Sequence, residues 1–157
     1  SYQHCYDLPT LAFRFFNVFG PLQAPGHAYA AVVPAFVHAA LSGKPLMIHG
    51  DGEQTRDFTY VGTVTATISD ALQRRVTSLD PVNLAFGTRH SLLHLVSLLE
   101  DHFGKELARN HSEPRAGDVK DSQADSHRLE ELFPDITPVD LAKGLADTVT
   151  WMESILN

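Results

Sequence analysis

The chain has 157 residues, of which 43% are hydrophobic and 20% are charged, as in one globular domain with a buried core. Its net charge of -7 argues against a nucleic-acid partner, because phosphate backbones require clustered Lys and Arg. No apolar run reaches membrane-spanning length, and the first residues lack a signal-peptide pattern. The single cysteine, Cys5, cannot form an internal disulfide, which suits a reducing compartment. We therefore expect a cytoplasmic protein with neither a nucleic-acid nor a membrane partner.

The periodicity of apolar residues predicts a mixed α/β chain. Its first strand, at 11–19, is apolar on both faces, which favours the interior of a parallel sheet. The later predicted elements are a helix from Pro34 to Gly43, a strand at 45–49, a strand at 57–61, a helix at 62–75, a strand at 81–86, a helix at 92–103 between the caps Ser91 and Gly104, a polar irregular stretch at 107–123, a helix ending at 133, and a helix from 138 to about 156.

A Gly50-Asp51-Gly52 turn separates the strands at 45–49 and 57–61. Glycine adopts positive φ without steric cost, so this sequence predicts a tight chain reversal. Arg56 lies at the mouth of that reversal and offers a planar set of donors suited to a phosphate or a carboxylate. The alternative is a hairpin tip whose arginine is only solvated.

Four polar residues at predicted element ends or in loops are candidates for binding: Asn17, Arg56, Arg115 and Asp118. Two arginines that converge on one site would suit a diphosphate, and an aspartate nearby would suit a ribose diol. Asn17 lies near the carboxyl end of a buried strand, where open α/β sheets place ligand contacts. Its alternative role is to satisfy local backbone groups before the following turn.

The sequence contains no complete catalytic apparatus. His90 and His94 have i,i+4 spacing, but no carboxylate completes a zinc-protease pattern, so we expect no metal site. A Gly-rich phosphate loop and a Gly-x-Ser-x-Gly elbow are both absent from the sequence.

Four ordered motifs carry a resemblance to a known family. They are Arg-Phe-Phe-Asn-Val-Phe-Gly-Pro at 14–21, Val-Pro-x-Phe at 33–36, Gly-Asp-Gly-x-Gln-x-Arg-Asp-Phe-x-Tyr-Val at 50–61, and Arg-x-Gly-Asp-Val-x-x-Ser-x-Ala-Asp at 115–125. Together they resemble the C-terminal half of the extended short-chain dehydrogenase/reductases, the NAD-dependent nucleotide-sugar epimerases and dehydratases. The resemblance extends from about residue 8 to residue 151. The sequence at 28–34 is most similar to that of UDP-glucose and UDP-N-acetylhexosamine 4-epimerases.

The resemblance implies roles for six residues. They are Asn17 at the sugar-nucleotide diphosphate, Phe15 against the nicotinamide end of NAD, Val33 beside the uracil, Arg56 and Arg115 on the phosphates, and Asp118 on the ribose hydroxyls. The implied reaction moves a hydride from sugar C4 to NAD, rotates the 4-keto intermediate, and returns the hydride to the opposite face. Binding energy held on the nucleotide, away from the reacting carbon, suits such a rotation.

Two departures from the family pattern matter. The Gly-rich dinucleotide loop and the Tyr-x-x-x-Lys catalytic pair are absent, and we expect them upstream of Ser1. Residues 1–157 are then the substrate-binding C-terminal part, without catalytic residues and inactive alone. In addition, Gly62-Thr63 replaces the acidic residue usual at the start of the following helix, which puts the stability of that helix start in doubt.

On this interpretation, the strands at 11–19 and 81–86 belong to the edge of a missing Rossmann sheet. Their open edges predict self-association or a homodimer. Two alternatives stay open: a nucleotide-sugar 4,6-dehydratase or reductase of the same family, and a non-catalytic protein that binds nucleotide sugars.

Overall fold

A computed structural model describes residues 2–24, 31–114, 117 and 119–156. Within these ranges the chain is α/β, with helices joined by short strands. The helices are α1 (Tyr2–Tyr6), α2 (Val32–Leu41), α3 (Val61–Arg74), α4 (Leu92–Phe103), α5 (His127–Leu132) and α6 (Leu141–Leu156). The strands are β1 (Phe13–Phe15), β2 (Val18–Phe19), β3 (Leu46–His49), β4 (Thr55–Arg56), β5 (Thr59–Tyr60), β6 (Val82–Leu84), β7 (His90–Ser91) and β8 (Arg109–Ser112).

The strand predicted at 11–19 is two strands with different partners. β1 pairs in parallel with β6, with Phe13 opposite Val82, and β2 pairs in parallel with β5. The break falls at Asn17, whose φ of 35° is a conformation that Asn tolerates better than most residues. The parallel pairing is confirmed, and the single continuous strand is wrong.

The Gly50–Gly52 reversal is confirmed, but it does not close a hairpin. Gly50 and Gly52 have φ values of 77° and 85°, and a Cβ at Gly52 would lie 2.8 Å from Leu93 Cδ2. The strands on either side pair elsewhere: β3 with β8 in parallel, and β4 with β7 antiparallel. The reversal therefore carries the chain from one strand pair to another.

Strand β8 lies inside the stretch predicted to be irregular, so that prediction is wrong for Arg109–Ser112. It is polar and mostly exposed, and a strand without an apolar face leaves no period-2 signal. Glu100 holds its start, because its Oε1 accepts bonds from Leu107 N (3.0 Å) and Arg109 Nη2 (2.7 Å). These bonds lower the pKa of Glu100, the Leu107 amide first among the causes.

The helix ends follow the predicted chemistry closely. Ser91 Oγ accepts the His94 N–H at 3.1 Å, and Gly104 ends α4 with a φ of 63°. Helix α3 begins at Val61 without a side-chain cap. Thr63, next to the glycine that replaces the usual acid, instead accepts the Val139 N–H at 2.9 Å. The start of α3 is thereby tied to the segment before α6.

The buried apolar residues form two cores. The larger one packs α2, β3, α4 and α6 together, with Phe19, Leu46, Leu95 and Leu145 among its most buried members. The smaller one surrounds β6 and includes Val64, Val82, Leu84, Leu129 and Phe133. Burial of both cores supplies the main driving force for folding.

The side chain of Asp57 joins segments from both cores. It is 0% exposed, and its Oδ2 accepts the backbone N–H groups of Gly87 (3.0 Å) and Ala124 (3.2 Å). Oδ1 accepts the Thr88 hydroxyl at 2.9 Å. In all three bonds the carboxyl oxygens act as acceptors.

Replacement of Asp57 by alanine should destabilise the chain by about 2–4 kcal/mol, because the amides of Gly87 and Ala124 lose their acceptor. Asp57→Asn should cost much less, since the amide oxygen can serve both N–H groups while its NH2 donates to Thr88 Oγ1. Urea unfolding of the three proteins measures the difference. Equal losses in the two variants would show that the charge, and not the hydrogen-bond geometry, stabilises the fold.

The isolated chain should self-associate through the edge of β1. Within the part of the chain that the structure describes, β1 pairs with β6 alone, and Phe15 is 57% exposed. An apolar groove of about 740 Å³ lies beside it, between residues 9–13 and α3. Size-exclusion chromatography with light scattering should show a mass that rises with concentration.

A charge at the strand edge blocks pairing, so Phe15→Lys should return the chain to a monomer. Leu156→Lys, at an equally exposed apolar residue on α6, should leave the association unchanged. A wild-type monomer at high concentration would contradict the prediction.

Candidate functional site

A cavity of about 240 Å³ lies where β3 ends and the Gly50–Gly52 reversal begins. Its lining residues are His49, Gly50, Asp51, Gln54, Pro114, Val119 and Lys120. The carboxyl ends of parallel strands are the usual position of ligand sites in α/β proteins. Here β3 and β8 run in parallel and both end at this cavity.

Arg56 lies on β4 beside one wall of the cavity. Its Nη1 donates to Thr55 O at 2.7 Å and reaches Lys120 O at 3.4 Å. Because Lys120 lines the cavity, these bonds hold the guanidinium beside it. The arrangement brings a permanent positive charge next to a concave surface, which an anionic group could use.

The wall that contains Lys120 is fixed along β4. Thr55 N donates to Lys120 O at 2.9 Å, and Ser122 N donates to Thr55 O at 3.1 Å. On the outer side, Asp121 Oδ1 accepts from Thr55 Oγ1 (2.8 Å) and from Arg89 Nη2 (2.6 Å). These contacts lower the pKa of Asp121, the Thr55 hydroxyl being the largest cause.

Asn17 faces the backbone beside Arg56. Its Nδ2 donates to Asp57 O at 3.2 Å, and its own carbonyl accepts the Thr59 N–H at 3.3 Å. The amide thus donates to a backbone group 40 residues away, whereas its alternative role named local backbone groups. Its predicted contact with a diphosphate stays a prediction.

The structure separates the environments of Phe15 and Val33. Phe15 is 57% exposed on β1, whereas Val33 is 1% exposed inside the larger core. An exposed ring is available to a flat partner such as nicotinamide. The predicted contacts of Phe15 with NAD and of Val33 with uracil stay predictions.

Arg115 and Asp118 lie outside the described residues, so their predicted roles also stay predictions. The residues on either side of them are described. Pro114 and Val119 both line the cavity.

Several cavity residues were missed by the sequence analysis. His49 is the clearest: its Nδ1 lies 2.8 Å from Ser112 Oγ, which fixes the ring at the end of β3. Gln54 Nε2 donates to His49 O at 2.6 Å. The position of His49 at a strand end could have suggested a site residue, but its partner Ser112 lies on the unpredicted strand β8.

His90 and His94 stack, with ring centroids 5.1 Å apart. Burial lowers the pKa of His90, and the neighbouring His94 lowers it further. Among the described residues, no three His, Cys, Asp or Glu side chains group in a way that could hold a metal ion. In the same part of the chain, no helix has the length and apolar character to cross a membrane.

Relatives of this chain are found both by sequence and by structure. The family model described as "NAD dependent epimerase/dehydratase family" matches residues 1–85. An uncharacterized UDP-glucose epimerase of Bacillus subtilis is 31% identical over 98% of this chain and 48% of its own length. The chain spans about half the length of the curated relatives it matches.

Solved structures match the fold closely. A UDP-N-acetylglucosamine 4-epimerase of Methanobrevibacter ruminantium has a TM-score of 0.88 and 33% identity, over 98% of this chain and 49% of that one. A UDP-glucose 4-epimerase of Thermotoga maritima, solved with UDP-glucose, has a TM-score of 0.89 and 30% identity, and the match covers 99% of this chain and 50% of that one. The chain belongs to the NAD-dependent epimerase/dehydratase family and matches the C-terminal half of the extended short-chain dehydrogenase/reductases.

Proposed function

We propose that this chain binds the UDP moiety of a nucleotide sugar and forms the substrate-binding part of an NAD-dependent UDP-sugar 4-epimerase. One observation carries the proposal: Arg56 is held beside the cavity at the ends of β3 and β8 through its contact with Lys120 O. Similar proteins solved with UDP-glucose and with UDP-glucuronic acid and NAD support this choice of ligand.

A diphosphate requires cations around the cavity, whose lining includes Lys120 as well as Asp51. The chain as a whole is acidic, with a net charge of -7, so an anion requires local cations to bind. Arg56 supplies one beside the cavity, and the proposal assigns Arg115 as a second phosphate ligand and Asp118 as the ligand of the ribose hydroxyls. Arginine suits this role because its donors can contact two phosphate oxygens at once.

The other proposed contacts come from β1, from the break between β1 and β2, and from α2. Phe15, with its exposed ring, would contact the nicotinamide end of NAD, and Asn17 would lie at the diphosphate. Val33 would support the uracil site from the core. NAD supplies the hydride acceptor for the C4 position when it is bound. Residues 1–157 contain no Tyr-x-x-x-Lys pair, so we expect the chain alone to bind UDP sugars without converting them.

A second reaction is compatible with the same UDP site. A UDP-N-acetyl-α-D-glucosaminuronate decarboxylase of Bacillus cytotoxicus is 32% identical over 96% of this chain. Epimerases and such decarboxylases share the nucleotide part of their substrates and differ at the sugar. Recognition of UDP by this chain is therefore the testable common element, whichever sugar the whole enzyme uses.

Titration of the chain with UDP tests the proposal. Arg56→Ala and Arg115→Ala should each weaken UDP binding by about tenfold or more, because each loses a charge-assisted bond to a phosphate. Isothermal titration calorimetry at low ionic strength measures both changes. Uridine, which lacks the phosphates, should bind all three proteins with similar affinity.

Arg74→Ala is the matched control. Arg74 lies at the end of α3 and pairs with Asp70 on the same helix, so its loss should leave the affinity for UDP unchanged. Equal affinities of the wild type, Arg56→Ala and Arg115→Ala for UDP would contradict the two-arginine assignment.

A further inference from the structure

We propose that Asp57 is a positioning residue of the UDP site: its buried carboxylate fixes the 119–124 segment and, through that segment, the guanidinium of Arg56. This inference rests on the proposed function. Asp57 itself is 0% exposed and does not line the cavity. Its effect on a ligand must therefore pass through the groups it holds.

The path from Asp57 to the cavity is short. Ala124 N donates to Asp57 Oδ2 at 3.2 Å, and Ala124 is itself buried. Two residues earlier, Ser122 N is bonded to Thr55 O, and Lys120 O accepts both Thr55 N and Arg56 Nη1. One end of the segment is thus fixed by the carboxylate, and the other end holds the arginine.

The same carboxylate also holds the turn that follows β6. Gly87 N and Thr88 Oγ1 bind it from the turn that follows β6, and the Asp57 carbonyl accepts Asn17 Nδ2. Asn17 is therefore held by the backbone of Asp57, and only Arg56, of the two residues proposed to contact the diphosphate, depends on its carboxylate through the 119–124 segment. A displacement of a charged group by about 1 Å is enough to weaken a bidentate phosphate contact.

A second anchor of the segment is weaker. Asp121 contacts Thr55 and Arg89, but its side chain and that of Arg89 are 54% and 48% exposed. Exposed ion pairs contribute little, because solvent screens them. The buried carboxylate of Asp57 is therefore the stronger of the two side-chain anchors, and it acts together with the backbone bonds between Thr55 and residues 120 and 122 that hold the segment along β4.

Whether loss of the Asp57 carboxylate weakens or strengthens UDP binding distinguishes a positioning role from a purely electrostatic one. Removal of a negative charge near a phosphate site should, by electrostatics alone, strengthen UDP binding. Positioning predicts the opposite: Asp57→Ala weakens UDP binding by about tenfold, because Lys120 O and Arg56 lose their fixed place. Asp57→Asn keeps the hydrogen-bond geometry and should stay within about threefold of the wild type.

The experiment is UDP titration of the 157-residue chain and of the variants Asp57→Ala, Asp57→Asn and Asp121→Asn, each also combined with Arg56→Ala. In the Arg56→Ala background, Asp57→Ala should cost less than about threefold, because it acts through the arginine that is already absent. Asp121→Asn, the exposed anchor, should change the affinity by less than about twofold. Thr88→Val, which removes one donor and keeps the charge, replaces Asp57→Ala if that variant does not fold, and should weaken binding by about threefold.

The outcomes separate this inference from the proposed function. The positioning role alone would be overturned if the losses of UDP affinity from Asp57→Ala and Arg56→Ala add fully in the double variant. It would also be overturned if Asp57→Ala binds UDP as tightly as the wild type. If Thr88→Val is the variant used, unchanged UDP affinity overturns it in the same way. A wild-type chain that does not bind UDP would overturn both the positioning role and the proposed function.

Discussion

The carboxylate of Asp57 connects three segments that are far apart in the sequence. A buried charge is costly unless it is fully hydrogen-bonded, and here Gly87, Thr88 and Ala124 supply the donors. Each donor is held in turn by its own segment, so the carboxylate and its partners fix one another. The next residue, Phe58, belongs to the larger core, and Gly87 follows a strand of the smaller core. The group thus forms one of the links between the two cores.

The hydrogen bonds of Asp57 also help to hold the short strands beside the candidate site in place. Strands of two to four residues have little stability of their own, yet β4 is held on both sides, by β7 and by residues 120–122. Asp57 lies at the end of that arrangement and prevents the outer segment from separating. The phosphate contact proposed for Arg56 benefits from such rigidity, since less conformational entropy is lost on binding.

Much of the fold could be predicted from local chemistry. The caps Ser91 and Gly104, the positive φ of Gly50 and Gly52, and the parallel pairing of the first strand all follow from residue type and periodicity. Strand β8 and the break at Asn17 could not be predicted, because they depend on partners distant in the chain. The candidate site shows the same division: motif reasoning selected Arg56 as a candidate, whereas the hydrogen bonds of the His49 and Asp57 side chains depend on distant partners that no local pattern reveals.

The most direct test of the central claim is a ¹H–¹⁵N NMR titration of the chain with UDP. We expect amide shift changes concentrated at Gly50–Gly52, Arg56 and residues 119–124, with Asn17 also affected. Small or no changes are expected in the apolar groove between residues 9–13 and α3. Shift changes confined to that groove, or none at saturating UDP, would contradict the assignment of the cavity at the ends of β3 and β8 as the nucleotide site.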